Sequence, residues 1–492
     1  MFNLTNIKIL VVGSGARENA IVKSLHKSIH KPEIYCFGST LNPDIINKSV
    51  GYTTGKLTDH NAVLKFALEN KIQLALVCSD DPLAAGITDT LLVNGILCSS
   101  PTKAQAQLEW SKTFTRDLLT KHNIVGSPLY KAFDVNNVSD NSKFGNVDEK
   151  AKFGDVGQKS KFGSVSDNSK FGDTVVAVTT DFSAVRNFIN SLNTQFVIKA
   201  DGLCGGKGVQ VQGDHFETVN QGLEFCQEII DADGSFLIEE KLVGQEFSFF
   251  TLSDGEHLSD MSPIIQDHKR AYTGDRGPNT GGMGTYSDAN FLLPFLNEND
   301  KKQASQITKK VANALKQEIG TGFTGIFYGG FMKTKNGVKL IEYNARFGDP
   351  EAMNLLSLLE TDFVEINYAM ATGNLNKINL EFKNLATVCK YLVPLGYPEK
   401  PVKGENVDIS ELHGDWEDIY FGSVDKTDNP NLFTLKGSRA IAICCSGQNI
   451  SQAEEKVEKI IEKITGPLFH RFDIGKTEYI ATKVDMMNEV LG

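Results

Sequence analysis

The sequence predicts a multidomain α/β protein, and three features carry that expectation: its size, an opening strand, glycine turn and helix, and a lysine- and glycine-rich hairpin near residue 200. A chain of 492 residues exceeds what one hydrophobic core organises, so about three domains are expected. The run Ile7-Lys8-Ile9-Leu10-Val11-Val12 leads into Gly13-Ser14-Gly15-Ala16-Arg17-Glu18 and an apolar-periodic helix, a Rossmann-like beginning. More βα alternation follows: a helix around Asp59 to Asn70, the strand Leu74-Ala75-Leu76-Val77-Cys78, another helix, then Ile96-Leu97-Cys98. A small parallel sheet therefore fits residues 1–108. The boundary falls near Leu108 to Lys112, where a helix from Thr113 to His122 opens a new unit.

The first turn is not a dinucleotide site. Glu18 stands where a third glycine is required, and Cys36-Phe37-Gly38 stands where an acidic residue should end the second strand. Gly15 and Arg17 at a helix N-terminus still suit a phosphate, because free N–H groups and the helix dipole favour an anion there; a purely structural turn is the alternative.

Composition narrows the classes. Hydrophobic residues make up 40% and charged residues 23% of the chain, ordinary globular values. No run approaches the roughly 20 apolar residues of a membrane span. The N-terminal Met1-Phe2-Asn3-Leu4-Thr5-Asn6 lacks the basic and apolar regions of a signal peptide, so a cytoplasmic protein is expected. The formal charge of −11 argues against nucleic-acid binding, which relies on basic surfaces. The eight cysteines show no C-x-x-C spacing, and zinc or disulfides are not expected. Cys204 lies in the glycine turn but has no neighbouring His, and reads as a small packed thiol.

The hairpin Val197-Ile198-Lys199-Ala200-Asp201-Gly202-Leu203-Cys204-Gly205-Gly206-Lys207-Gly208-Val209 sets two lysines around a glycine-dense turn between apolar runs. Glycines bring backbone N–H groups against anionic oxygens while lysines neutralise charge, so the segment suggests a polyphosphate clamp and ATP chemistry. Lys207 is followed by Gly208 rather than Ser or Thr, which excludes a Walker loop. An ordinary hairpin with two solvated lysines is the competing reading. Downstream, Phe236-Leu237-Ile238-Glu239-Glu240-Lys241-Leu242 is a strand ending in acids, with Glu246 after a short turn. Such an edge suits an adenine amine and ribose hydroxyls, or is simply a solvated strand end.

Between about 135 and 180 the triplets Lys143-Phe144-Gly145, Lys152-Phe153-Gly154, Lys161-Phe162-Gly163 and Lys170-Phe171-Gly172 recur every nine residues. Too few large apolar residues separate them to build a core, which predicts a flexible insertion; a small β-solenoid is the alternative. Residues 300 to 318 form a polar helix, and Val338 to Asn344 a strand whose period of two puts Glu342 and Asn344 on one face, about 7 Å apart. These two hard oxygen ligands suit magnesium, which fills its remaining positions with water and phosphate. Arg346, two residues on, supplies a guanidinium for a carboxylate or a transferring phosphoryl group. From 383 onward, the strands Thr387 to Val393 and Arg439 to Cys444 and a helix from Ser451 to Lys463 predict a compact α+β domain; Arg471-Phe472-Asp473-Ile474-Gly475 is a charged turn able to reach a neighbouring site.

Taken in order, Ile198 to Gly202 with Gly206-Lys207-Gly208, Gln266-Asp267-His268-Lys269-Arg270, Gly277-Pro278-Asn279-Thr280-Gly281-Gly282-Met283-Gly284 and Arg346-Phe347-Gly348-Asp349-Pro350-Glu351 resemble the ATP-grasp superfamily and, within it, the phosphoribosylamine–glycine ligase family. The resemblance covers nearly everything except the repeat. It implies an N-terminal Rossmann-like domain (1–108), an ATP-grasp region (109–382, with a lid over about 125–247) and a C-terminal α+β domain (383–492). It also implies a carbon–nitrogen ligase of purine biosynthesis in which ATP converts glycine to an acyl phosphate that 5-phosphoribosylamine attacks. Lys112, Lys199, Lys207, Gly205, Gly206 and Gly208 would then serve the ATP phosphates, Glu239 and Leu242 the adenine, and Glu246 the ribose. Glu342 and Asn344 would hold Mg²⁺ or Mn²⁺. Arg346, Lys207 and Asp267 would be catalytic, and Pro278, Asn279, Thr280, Gly281, Lys269, Arg270 and Asp349 would border glycine and the acyl phosphate. For Lys269 and Arg270 a solvated basic turn is the alternative. Gly15, Arg17 and Asp80 would serve the amine, and small molecules would be the partners of a monomer.

Three departures fall on the amine side: Gly15-Ala16-Arg17-Glu18-Asn19 replaces G-G-R-E-H, Phe37-Gly38-Ser39-Thr40 replaces a P-G-N turn, and Cys78-Ser79-Asp80 replaces G-P-E. They predict altered amine recognition beside an intact ATP site. Two rivals remain at this stage: an ATP-grasp ligase for a different amine, and a nucleotide-binding protein whose amine site has decayed.

Overall fold

A computed structural model describes residues 4–139, 180–205 and 208–492. The nine-residue repeats, and Gly206 and Lys207 of the hairpin, lie outside the described residues. The chain divides into two compact units: Met1–Glu109 with Leu118–Gly126 and Val243–Gly492, and Trp110–Asp117 with Ser127–Leu242.

The larger unit opens with a parallel sheet in the order Gly51–Thr54, Glu33–Gly38, Lys8–Val12, Leu74–Val77, Leu97–Cys98. Ile9, Leu10, Val11 and Val12 are all fully buried, as expected of a central parallel strand covered on both faces. The helix expected near Asp59 runs His60–Glu69, and Asp59 caps it by accepting from the Ala62 N–H. Gly13 turns the chain from strand to helix at φ +128°, and a Cβ there would meet Glu18 Cγ at 2.7 Å.

An antiparallel sheet follows in the order Leu258–Asp260, Gly244–Asp254, Thr324–Thr334, Gly337–Asn344. The polar helix expected over 300–318 is Glu298–Ile319. Asn297 caps its start through the N–H groups of Asn299 and Asp300, and Gly320 ends it in the left-handed conformation.

A third sheet runs Gln266–Asp267, Gly284–Ser287, Ala386–Pro394, Ile441–Gly447, Ile419–Phe421, with Leu468–Phe469 also pairing Ala386–Pro394. The C-terminal α+β region therefore borrows two strands from the centre of the sequence. Those strands are two and four residues long, too short to show a period-2 pattern. One continuous core spans the unit, from Ile9 through Met283 and Phe347 to Cys444. Among the described residues, no helix is long and apolar enough to cross a membrane.

The smaller unit is an antiparallel sheet, Tyr130–Phe133, Phe236–Glu240, Phe196–Ala200, Val209–Val211, with the helices Ser183–Ser191 and Val219–Asp231. Its own core gathers Phe133, Phe196, Phe216, Leu223 and Phe236. The helix expected from Thr113 is Lys112–Lys121; its first six residues belong to this unit and the rest to the larger one.

Gly322 and Gly255 touch so closely that a Cβ on Gly322 would lie 1.8 Å from the Gly255 carbonyl oxygen. Backbone cannot yield as a side chain can, so Gly322→Ala is expected to destabilise the larger unit by about 1–3 kcal/mol. Urea unfolding measures this, and an unchanged midpoint would contradict the packing described.

Candidate active site

In the smaller unit the expected hairpin is present: Val197, Ile198 and Lys199 pair antiparallel with Val211, Gln210 and Val209. Gly202 and Gly205 both take positive φ, +98° and +55°, the freedom a tight anion-facing turn requires. Gly208 is buried at its end, where a Cβ would strike Cys204 Sγ at 2.7 Å. Lys112 converges on the same turn: its backbone N–H donates to Asp201 Oδ1 (2.6 Å) and its ammonium to the Gly202 carbonyl (2.9 Å). Cys204 is half-buried, and burial raises its thiol pKa, which fits packing rather than nucleophilic work.

Lys199 is buried and paired with Glu239 at 2.8 Å. Arg116 grips the same carboxylate with two nitrogens, 2.7 and 3.1 Å away. Burial alone would raise the Glu239 pKa, but the two cations outweigh it and hold it at about 2. The Glu239 carboxylate thus holds Lys199 and Arg116 together at the end of its strand. Leu242 is half-buried just after this strand, at the end of the unit.

In the larger unit three carboxylates surround one ammonium. Lys269 Nζ lies 3.3 Å from Glu246 Oε2 and 3.9 Å from Glu342 Oε1, and Glu246, then Glu342 and Asp267, raise its pKa against the opposing effect of burial. It is therefore an ion-paired residue, not a solvated basic turn. Burial drives the Asp267 carboxyl well above its usual range, and Glu351 adds to this against the pull of Lys269 and Arg439. Glu351 itself is buried beneath Tyr328 (2.6 Å) and Ser248 (3.0 Å).

Glu342 and Asn344 end the strand Gly337–Asn344 and sit opposite Gly330 and Tyr328. Asn344 Oδ1 accepts from Arg346 at 3.2 Å. Arg346 is also fixed by Glu109 Oε1 at 2.7 Å, while its buried Nε has no partner among the described residues. Arg270 spends a guanidinium nitrogen on the Gly277 carbonyl (2.8 Å), closing the hairpin Arg270–Tyr272 with Arg276–Asn279. Pro278 and Asn279 lie on that hairpin, and Thr280 returns to the Lys269 carbonyl through its N–H (2.7 Å) and hydroxyl (2.8 Å).

Asp349 is the meeting point of this unit. Tyr391 donates to its Oδ1 at 2.5 Å, and Arg439 stands 3.4 Å from the same oxygen. A Cβ on Gly15 would lie 3.9 Å from Asp349 Oδ2, and Arg17 reaches the Phe347 carbonyl at 3.4 Å. The N-terminal turn therefore abuts the Arg346 to Glu351 loop. Glu18 fills the helix N-terminus, accepting from the Gly15 N–H (2.6 Å) and Arg17 Nε (2.7 Å). Asp80 opens a short helix, Asp80–Ala85, and adds to the field on Arg17 after Glu18 and Asp349. Asn19 turns away from this place: its side chain binds Asp44 (2.8 Å) and the Phe421 N–H (2.9 Å).

Sequence reasoning missed Arg439, Glu109 and Arg116. Arg439 NH1 donates to the carbonyls of Gly281 (2.8 Å), Gly282 (3.0 Å) and Asp349 (2.7 Å), tying the glycine loop to Asp349. No motif surrounds any of the three, and only the fold reveals their targets.

Known proteins resemble this chain along its whole length. Family models described as the N, ATP-grasp (A) and C domains of phosphoribosylglycinamide synthetase match residues 7–109, 165–352 and 387–477. The phosphoribosylamine–glycine ligase of Methanocaldococcus jannaschii is 39% identical over 98% of this chain and 100% of its own. That of Methanocella arvoryzae is 36% identical over 99% and 100%. The crystal structure of the Thermotoga maritima phosphoribosylamine–glycine ligase superposes with a TM-score of 0.72 at 23% identity, covering 95% of this chain and all of that one. A biotin carboxylase domain from Hydrogenobacter thermophilus shares the fold at a TM-score of 0.64 and 10% identity. The expected α/β architecture with an ATP-grasp centre is thereby borne out.

Because the folded pKa of Glu239, about 2, lies below its ordinary 4.5, its ion pairs stabilise the fold above pH 4.5, and that contribution disappears as pH falls towards 2. Across this window the native chain should lose on the order of 3 kcal/mol more than Glu239→Gln. Urea unfolding as a function of pH checks this; parallel pH profiles would refute the ion-pair account.

Proposed function

The chain belongs to the phosphoribosylamine–glycine ligase family, and we propose how its residues divide the work of that reaction. ATP drives the ligation of glycine to 5-phosphoribosylamine, forming glycinamide ribonucleotide, ADP and phosphate in purine biosynthesis. A carboxylate is a poor electrophile because oxide would have to leave. A glycine carboxylate oxygen attacks the γ-phosphorus, the bond to ADP breaks, and glycyl phosphate forms. The amine nitrogen then attacks its carbonyl carbon, phosphate departs with the C–O electron pair, and the nitrogen loses a proton. Catalysis of both steps is chiefly alignment and charge neutralisation.

In this reading Lys112, Lys199 and Lys207, with the turn N–H groups of Gly205, Gly206 and Gly208, bind the ATP phosphates. Leu242 and the Glu239 strand take the adenine, and Glu246 the ribose. Arg346 and Asp267 serve the reacting carboxylate and phosphoryl group. Lys269, Arg270, Asp349 and the Pro278 to Gly281 loop border glycine, while Gly15, Arg17 and Asp80 receive the amine. Glu342 and Asn344 offer a carboxylate and an amide oxygen from the end of one strand, a donor pair that fits a hard divalent cation. Bound there, Mg²⁺ or Mn²⁺ would neutralise charge on the phosphates.

The observation that carries this division is the contact of the Gly15–Arg17 turn with the loop of Phe347 and Asp349, which supports an amine delivered beside the glycine-side groups. We assign the amine site to residues 1–108, ATP and acyl transfer to 109–382, and support of the glycine loop to 383–492. All eight cysteines are free thiols, which suits the reducing cytoplasm.

The deciding experiment is product formation from ATP, glycine and freshly made phosphoribosylamine; a folded protein that makes no glycinamide ribonucleotide would overturn the reading. An amine panel with ADP release separates it from a ligase for another amine. Glu342→Gln should lower kcat on the order of 100-fold without loss of fold by circular dichroism, and near-native turnover would remove Glu342 from the metal-binding role.

A further inference from the structure

The hairpin that carries Arg270, Pro278 and Asn279 is held at its tip by the end of the chain. Asp275 lies there at positive φ, and three groups from the C-terminal segment converge on its carboxylate. Arg471 NH1 is 2.8 Å from Asp275 Oδ1, and both the Tyr479 hydroxyl and the Lys483 ammonium bind Oδ2. Arg471 is 1% exposed, which for a guanidinium demands near-complete pairing. It donates to the Arg270 carbonyl (3.0 Å), to both oxygens of Asp473 (3.0 and 2.7 Å) and to the Tyr479 hydroxyl (3.0 Å). Asp473 in turn accepts from the Gly274 N–H at 2.9 Å. The hairpin is thus gripped at Arg270, Gly274 and Asp275.

Tyr479 and Lys483 sit on the helix Thr477–Leu491, which begins where the family's C-domain match stops, at residue 477. His268 packs between Tyr286 and Tyr479, with centroids 5.7 and 5.6 Å away. Farther along the helix, Met486 accepts from Gln245, the neighbour of Glu246, at 2.7 Å. One helix therefore backs both the hairpin and the strand bearing Glu246.

We propose that Arg471, Tyr479 and Lys483 are positioning residues for the glycine-side loop, holding Pro278 to Gly281 in the geometry that binds glycine. The claim rests on the proposed assignment of that loop to glycine. A loop displaced by about 1 Å loses catalysis steeply, and a flexible tip cannot be held by the two short hairpin strands alone.

The test is the double variant Tyr479→Phe with Lys483→Met, beside Asp275→Asn, in the full chain. Amide hydrogen exchange over residues 270–282 should accelerate at least about tenfold with protection elsewhere in the larger unit unchanged. The KM for glycine should rise roughly tenfold while the KM for ATP stays within about twofold, and Lys483→Arg should recover most of the loss. Exchange that does not change, or that accelerates evenly across the unit, overturns the proposal. So does faster exchange with an unaltered KM for glycine. Absence of glycine-dependent turnover in the native chain would instead strike the ligase assignment, since the exchange comparison does not depend on activity.

Discussion

The Lys269 ammonium is the charge around which three acidic side chains of the larger unit gather. Glu246, Glu342 and Asp267 arrive from three different strands, and without a cation among them their mutual repulsion would drive them apart or protonate them. With Lys269 at 3.3 and 3.9 Å from the first two, Glu246 and Glu342 are drawn towards one shared ammonium. Desolvation, with Glu351 adding to it, pushes the half-buried Asp267 carboxyl well above its usual range.

The same logic recurs in the smaller unit in mirror image. There a single carboxylate, Glu239, balances Lys199 and Arg116. A buried cation needs an opposite charge beside it, and Glu239 supplies one to Lys199 in an apolar strand. The acid fixes the position of Lys199 at the base of the hairpin.

How much of this was legible in the sequence depends on the range of each interaction. The parallel sheet, the hairpin at Lys199, the strand ending in Glu342 and Asn344, and the helix Glu298–Ile319 announce themselves through local periodicity and turn residues. The role of Arg439 does not, because its partners lie 90 to 158 positions away and are backbone carbonyls, which any residue possesses. Asn19 misled in the opposite sense. It stands in a motif, yet its side-chain amide is bonded to Asp44 and the Phe421 N–H, partners that local sequence does not reveal. The charged turn at Arg471 was visible, but only the fold supplied Asp275 as its target.

The third sheet joins Gly284–Ser287 to Ala386–Pro394, strands about a hundred residues apart in sequence. During synthesis from the N-terminus the earlier pair emerges with its edge unpaired and must wait for the later strand. The glycine loop, strung between Gln266–Asp267 and Gly284–Ser287, is therefore among the last parts of the molecule to take shape. Synthesis must pass Pro394 before Gly284–Ser287, at the end of that loop, gains its second neighbour.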